Sequence, residues 1–533
     1  MKKQIRVLIV CILTACMLWG CVPQFGGYGP VDVIHYDDME YTRPDMLALE
    51  QALADAKAAA AGDNLQQILR EIHELYDLYD SYYTNYNLAD IRYCADLRDS
   101  YWEEESNFCA RNAATVDAAL DSLYRALAKS PCRETLEADA YFGPGYFDSY
   151  EDGAGWPAEF LRMLEKEAQL QNEYYDLSQQ AQAWEYGSTA YLDACAENMG
   201  NLLADLIRVR REIAAYWGYS DYVAFATDFY HYRDYTAEQI TAYFAQIRQE
   251  LVTLYREVGG SDIWENFRYA SEAEVYGYVR EMARNMGGTV QEAFRLMDQA
   301  GLYDIAPGEN KYASSFEVYL TTYEEPFIFM NPEGSTYYFL TFAHEFGHFC
   351  NDYASRGSYA GVDVLEIFSQ GLEYMSLCYV EGTETLAKLK MADSLCVYVE
   401  QAAFADFEMA MYALPEEKLN AAGLTELYDF YALAYGFDSV DYDPREYVTI
   451  THYYTNPMYI ISYVVSNDAA MQLYQMEKES AGAGRKCLED HWDTEESYFL
   501  SFLRSAGLES PFAPGRIQWV RNTFEEVLRS PDA

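Results

Sequence analysis

Apolar positions recur three and four apart over most of the chain, the spacing that gives a helix one buried face. From Asp45 to about Ser130 this rhythm predicts three helices. Pro44 is read into the first turn of an alanine-rich helix reaching Ala61, and Gly62-Asp63-Asn64 breaks it. Leu65, Ile68, Leu69, Ile72, Leu75 and Tyr79 mark a second helix. A third is expected over roughly Leu88 to Ala128, stopped by Ser130-Pro131. A glycine- and proline-rich stretch around 143–157 separates these from helices expected over Ala158–Tyr186 and Thr189–Trp217. Thr236, with Gln239 three residues on, is a capping-box start. One stretch departs from the helical rhythm. SSFEVYLTTY (314–323) and PFIFMN (326–331) read as two short strands around Glu324-Glu325. Such a pair can prop a neighbouring helix, and its open edge can pair with an extended peptide. After Pro332 the rest reads as helices, so the expectation is a mainly α chain with one small sheet or hairpin.

Length and charge sharpen this picture. At 533 residues, half of them apolar, the chain exceeds one ordinary core, and two lobes are expected. The formal charge is −49, from 37 basic and 86 acidic residues. Such a surface excludes binding to nucleic acid or to anionic lipid by charge.

The N-terminus carries Lys2, Lys3 and Arg6, then an apolar run, Val7–Trp19, too short to span a bilayer. Leu18-Trp19-Gly20-Cys21 reads as the cleavage and lipidation site of a bacterial lipoprotein, with Leu13-Thr14-Ala15-Cys16 as a competing match. The expected order is a signal peptide over 1–20, a lipid anchor on Cys21 and a linker over 21–43, which puts the protein at the bacterial cell surface. An extracellular setting permits disulfides, and Cys94 with Cys109 is the nearest candidate pair.

The chemistry gathers in TFAHEFGHFCNDYASRGSYAGVDVLEIFSQGLEYM, residues 341–375. His344 and His348 stand four apart, so a helix points both imidazoles at one ion, and such a pair suits zinc. Glu345 falls beside the ion, placed to act as general base toward water. Glu366, on a second helix, is the candidate third ligand. Glu373, seven residues further along the same face, suits an acceptor for an imidazole N–H better than a ligand. Cys350, two residues past His348, turns away from the metal face.

These residues resemble the thimet oligopeptidase and oligoendopeptidase F family of zinc endopeptidases. Asp363–Met375 is similar to the family's Glu-x-x-Ser-Gln-x-x-Glu segment after HExxH, whose first Glu is the third ligand; the match puts that role on Glu366. Glu309–Asn331 resembles the strand pair before the metal helix, and Thr451–Gln472 resembles the family's His/Tyr segment. The resemblance implies a two-lobed helical metallopeptidase with a deep central channel, one zinc ion per chain and short peptides as substrates. It implies a helical lobe over 44–205 and a catalytic domain over 206–533. It further implies that His452 and a tyrosine, Tyr459 or Tyr463, donate hydrogen bonds to the carbonyl oxygen of the substrate. A monomer is expected. The interval between His348 and Glu366 is shorter than is usual in the family. It is closer to that of zinc aminopeptidases on the same core, whose amine-binding motif is lacking here. An aminopeptidase, and a surface lipoprotein that binds peptides without cutting them, are the rival readings.

Overall fold

The computed structural model describes residues 33–529, apart from 139–141, 151–157, 182–183, 185–186, 260–262, 264–268, 313, 333–336, 359 and 441. The first helix, α1, spans Met46–Ala60. The Asp45 side chain accepts from the N–H groups of Leu47 and Ala48, so Asp45 is the cap and Pro44 lies outside the first turn. Asn64 caps α2, which covers Leu65–Ala95. The expected break near Leu88 is not there. Leu88 and Ile91 continue the buried face, and the helix leaves only at Asp96, whose backbone is extended. Asp99 then caps α3, Ser100–Leu127.

Buried apolar side chains form two main cores. The smaller gathers residues from Leu49 to Phe147, among them Ile68, Ile72, Leu75, Leu120 and Phe142. The larger takes Leu88 and Ile91 from the end of α2 and then runs from Phe160 to Phe524. The molecule is therefore mainly helical and two-cored. Helices α4, Ala158–Ala181, and α5, Thr189–Tyr216, pack into the larger core. Thr236 and Gln239 form the reciprocal capping box read from the sequence.

The larger core holds one three-stranded sheet among the described residues, in the order β1-β3-β2. Strands β2, Ser315–Leu320, and β3, Glu325–Met330, are antiparallel, with Phe316 opposite Phe329 and Val318 opposite Phe327. Glu324 turns the chain between them in the left-handed region, at φ 52°. Strand β1, Tyr303–Asp304, adds to β3 in parallel, and its two residues carry no signal in the sequence. β3 is buried along its whole length. Helix α6, Tyr338–Ser355, packs on both β2 and β3.

Helix α7, Val362–Tyr379, lies against α6 and, on its other side, against α10, Ile461–Glu479. Between α7 and α10 in the chain come α8, Glu384–Cys396, and α9, Ala402–Met411.

Cys94 and Cys109 are both free thiols, so the expected bridge is not made. The reason is their placement: Cys94 faces the larger core and Cys109 the smaller. No helix among the described residues is long and apolar enough to cross a membrane. Cys16 and Cys21 lie outside the described residues.

Candidate metal centre

Helix α6 carries His344, Glu345 and His348; helix α7 carries Glu366 and Glu373. Two devices bring the helices together. Residues 356–361 connect them through consecutive left-handed residues, Arg356 at φ 56° and Gly357 at φ 71°. A side chain at Gly357 would strike the ring of Tyr319 on β2. This tight reversal accommodates the short interval noted in the sequence. Gly347 does the rest. A Cβ there would lie 2.5 Å from the Ser369 Cα and 2.6 Å from the Phe368 carbonyl oxygen, so the helices touch backbone to backbone. Ser369 is one turn beyond Glu366.

The result is a three-donor cluster. One ligand atom each from His344, His348 and Glu366 lies within 4.8 Å of the others. His344 Nε2 is 3.7 Å from Glu366 Oε2. The remaining atoms are held from outside. His344 Nδ1 is 2.7 Å from Glu373 Oε1, which fixes the imidazole so that Nε2 faces inward. Glu366 Oε1 accepts from the Tyr459 hydroxyl at 2.9 Å, and Oε2 accepts from Ser369 Oγ at 3.1 Å. Two imidazoles and one carboxylate, with His344 and Glu366 braced by further groups, fit a catalytic metal ion with an open position.

The charges agree. Burial pulls the His344 imidazole down, but the hydrogen bond and charge of Glu373, with Glu345 and Glu366 nearby, raise it to about 9. A metal must displace that proton, as binding to imidazole requires. Burial and the neighbouring His344 hold His348 well below its ordinary value, so it is a neutral donor. Burial raises Glu366 despite the His344 charge. Burial also lifts Glu345, 4 % exposed, to about 7, with His344 pulling the other way. A carboxyl near 7 takes and returns a proton at neutral pH. Cys350 is fully buried and belongs to the core.

The segment 452–463 closes the other side. Tyr463 Oη is 3.3 Å from His452 Nε2, and the Tyr459 ring lies 5.3 Å from that of Tyr463 and 5.2 Å from that of His452. Burial drives His452 down to about 3, so it stays neutral. Tyr459 spends its hydroxyl on Glu366, whereas Tyr463 keeps its own beside His452.

The segment is held by ionisable residues that sequence reasoning missed. Arg210, fully buried on α5, donates to the carbonyls of Tyr453 and Tyr454 at 2.5 Å each. Arg233 donates to the Met458 carbonyl at 2.8 Å and pairs with Asp363 at 3.1 Å. Asp363 also accepts from Tyr235 and Ser462. Glu408 on α9 accepts from the Met458 N–H at 2.7 Å. Met458 sits at φ 64°, strained for a side-chain-bearing residue, and these bonds hold it there. One signal for Arg210 was readable. Leu206, Ile207, Ile213 and Ala214 put position 210 on the apolar face of its helix.

Residues 36–152 match the family model of the peptidase M3 N-terminal domain. The match agrees with the resemblance to the oligoendopeptidase F family read from the sequence. A comparison with curated proteins returns no match. Among solved structures, the chain is similar to one described as an oligoendopeptidase F, with TM-score 0.79, 22% identity, and 94% of this chain and 99% of the other covered. It is similar also to PZ peptidase A solved with an inhibitor (TM-score 0.76, 21% identity, 93% and 99% covered). A Bacillus anthracis protein described as an oligoendopeptidase F gives TM-score 0.75 at 20% identity, with 94% and 99% covered. At these identities the structural likeness speaks for the fold. The family match spans the whole of the smaller core.

Proposed function

We propose that the protein is a zinc-dependent endopeptidase that hydrolyses short peptides at the bacterial cell surface, anchored by a lipidated Cys21. The observation that carries the reading is the cluster of His344, His348 and Glu366 with Glu345 buried beside it. Zinc held by those three side chains would supply Lewis acidity to a water molecule and to the scissile carbonyl. Glu345 takes a proton from the attacking water and returns it to the leaving amine. Tyr463, with His452 orienting its hydroxyl, donates to the carbonyl oxygen as negative charge builds there. A channel between the two helical lobes would admit peptides and exclude folded proteins. The protein acts as a monomer.

The test joins metal, activity and location. Purified protein should hold one zinc per chain and cleave an N-acetylated, internally quenched peptide in its interior. Glu345→Gln should keep the zinc and lose roughly 10²–10⁴-fold in kcat. Absence of zinc together with absence of hydrolysis would establish the peptide-binding alternative instead. Strict dependence on a free N-terminal amine would establish the aminopeptidase. For the anchor, expressing cells fed labelled palmitate should label the protein, and Cys21→Ser should abolish the label. Label lost only in Cys16→Ser would move the anchor to Cys16, and no label at all would remove it.

A further inference from the structure

The carboxylate behind His344 has a partner of its own. Glu373 gives Oε1 to His344 Nδ1 at 2.7 Å and Oε2 to Lys390 Nζ, also at 2.7 Å. Lys390 comes from α8, an element that supplies no other group to the metal cluster, and it is 1 % exposed. Its ammonium lies 4.7 Å over the Tyr374 ring and 3.6 Å from Asp393 Oδ2. Asp393 in turn accepts from the Tyr337 hydroxyl at 3.2 Å. His344, Glu373, Lys390, Asp393 and Tyr337 thus form one unbroken chain of polar groups that ends at the residue before α6.

Burying an ammonium group costs several kcal/mol even when it is paired, and an apolar side chain of similar length would pack α8 against α7 without that cost. Packing therefore does not account for a lysine here. Geometry does. A carboxylate that accepted only from His344 could rotate about its own bond and release Nδ1. With the second oxygen fixed by Lys390, the first stays aimed at Nδ1, and the ring keeps its Nε2 face toward Glu366.

We propose that Lys390 is a positioning residue for the metal site, clamping Glu373 so that His344 presents Nε2 to the ion. The inference rests on the metal reading above, and the experiment separates the two. Wild type, Lys390→Met and Lys390→Arg are stripped of metal, and the zinc dissociation constant of each is measured by competition with a chromophoric chelator. The thermal midpoint of each metal-free form is recorded alongside. Lys390→Met should bind zinc about tenfold more weakly, and Lys390→Arg, which keeps the charge, should recover most of that loss. A purely structural lysine would lower the metal-free midpoint and leave the zinc constant of the folded protein unchanged, and that result overturns the proposal. If Lys390→Met fails to fold, Lys390→Gln, uncharged and of similar reach, is read by the same criterion. Wild type that binds no zinc refutes the metal reading itself, and the clamp falls with it. Tight binding by wild type and both substitutions refutes the clamp alone.

Discussion

Gly347 sits between the two ligand-bearing helices, and replacing it with alanine tests the geometry of the centre directly. The added Cβ would meet the Ser369 Cα at 2.5 Å and the Phe368 carbonyl oxygen at 2.6 Å. Carbon atoms rest at about 3.5–4.0 Å, so α6 and α7 must part by roughly 1 Å. Both obstacles are backbone, so no side chain can swing aside. Alanine is worth about 1 kcal/mol over glycine in a helix interior, which works in favour of the variant. Overpacking costs about 1–3 kcal/mol, and a rigid obstacle on both sides puts this case at the upper end. The net expectation is a metal-free protein destabilised by about 1–2 kcal/mol, read as a thermal midpoint about 1–2 °C lower for a chain of this size. The larger effect falls on the metal. Glu366 is one turn from the contact, and metal–ligand distances tolerate about 0.2 Å, so a 1 Å displacement should weaken zinc by about 10–100-fold. Chelator competition reads the second number and a melting curve the first. A Gly347→Ala protein with the wild-type zinc constant would refute the claim that this contact sets the position of Glu366.

Two further substitutions separate the roles on the far side of the site. Tyr463→Phe should leave zinc binding and KM near wild type while kcat falls by about 10²–10³-fold, the loss expected of one donor to a developing oxyanion. Glu408→Gln probes the strap through pH. Burial lifts the Glu408 carboxyl to about 8, far above its unfolded value, so the native state holds a proton that the unfolded chain has lost. Stability from this group is complete below about pH 4.5 and drains away as pH rises toward 8, by several kcal/mol at most. The Gln variant should therefore gain on wild type across that window in melts taken from pH 5 to 8.5; parallel curves would contradict it.

The parts legible in the sequence share one property: they are local. His344, Glu345 and His348 lie within one and a half turns of a helix, and Glu373 follows Glu366 by two turns. A period of 3.6 residues places each of them without knowledge of the rest of the chain. The same holds for the capping box at Thr236 and for β2 and β3. Errors in the reading arise where a local signal was weak or a distant partner decided. No proline or glycine interrupts α2 between Leu65 and Ala95, and the buried positions run through to Cys94, so the supposed helix start at Leu88 is mid-helix. Strand β1 exists because β3 offers Ile328 and Phe329 as partners. Cys94 and Cys109 are near in sequence, yet the break at 96–99 sends them into different cores.

The strap around Met458 shows why the remainder of the site was beyond local reading. Four ionisable side chains from four separate stretches converge on residues 453–462: Arg210, Arg233, Asp363 and Glu408. Each is individually unfavourable to bury, and a scan for apolar periodicity treats each as a surface residue or an interruption. Their purpose emerges only when the backbone they hold is known. Tyr459 must reach Glu366 from one side while Tyr463 reaches His452 from the other. The chain achieves this by passing Met458 through a conformation that side-chain-bearing residues avoid. Bonds to the carbonyl of Met458, to its N–H and to the carbonyl of Pro457 oppose that strain. Asp363 ties the strap to α7 one turn ahead of Glu366. The tyrosine segment and the third metal ligand are thereby fixed to a single helix, and a shift in either one is transmitted to the other.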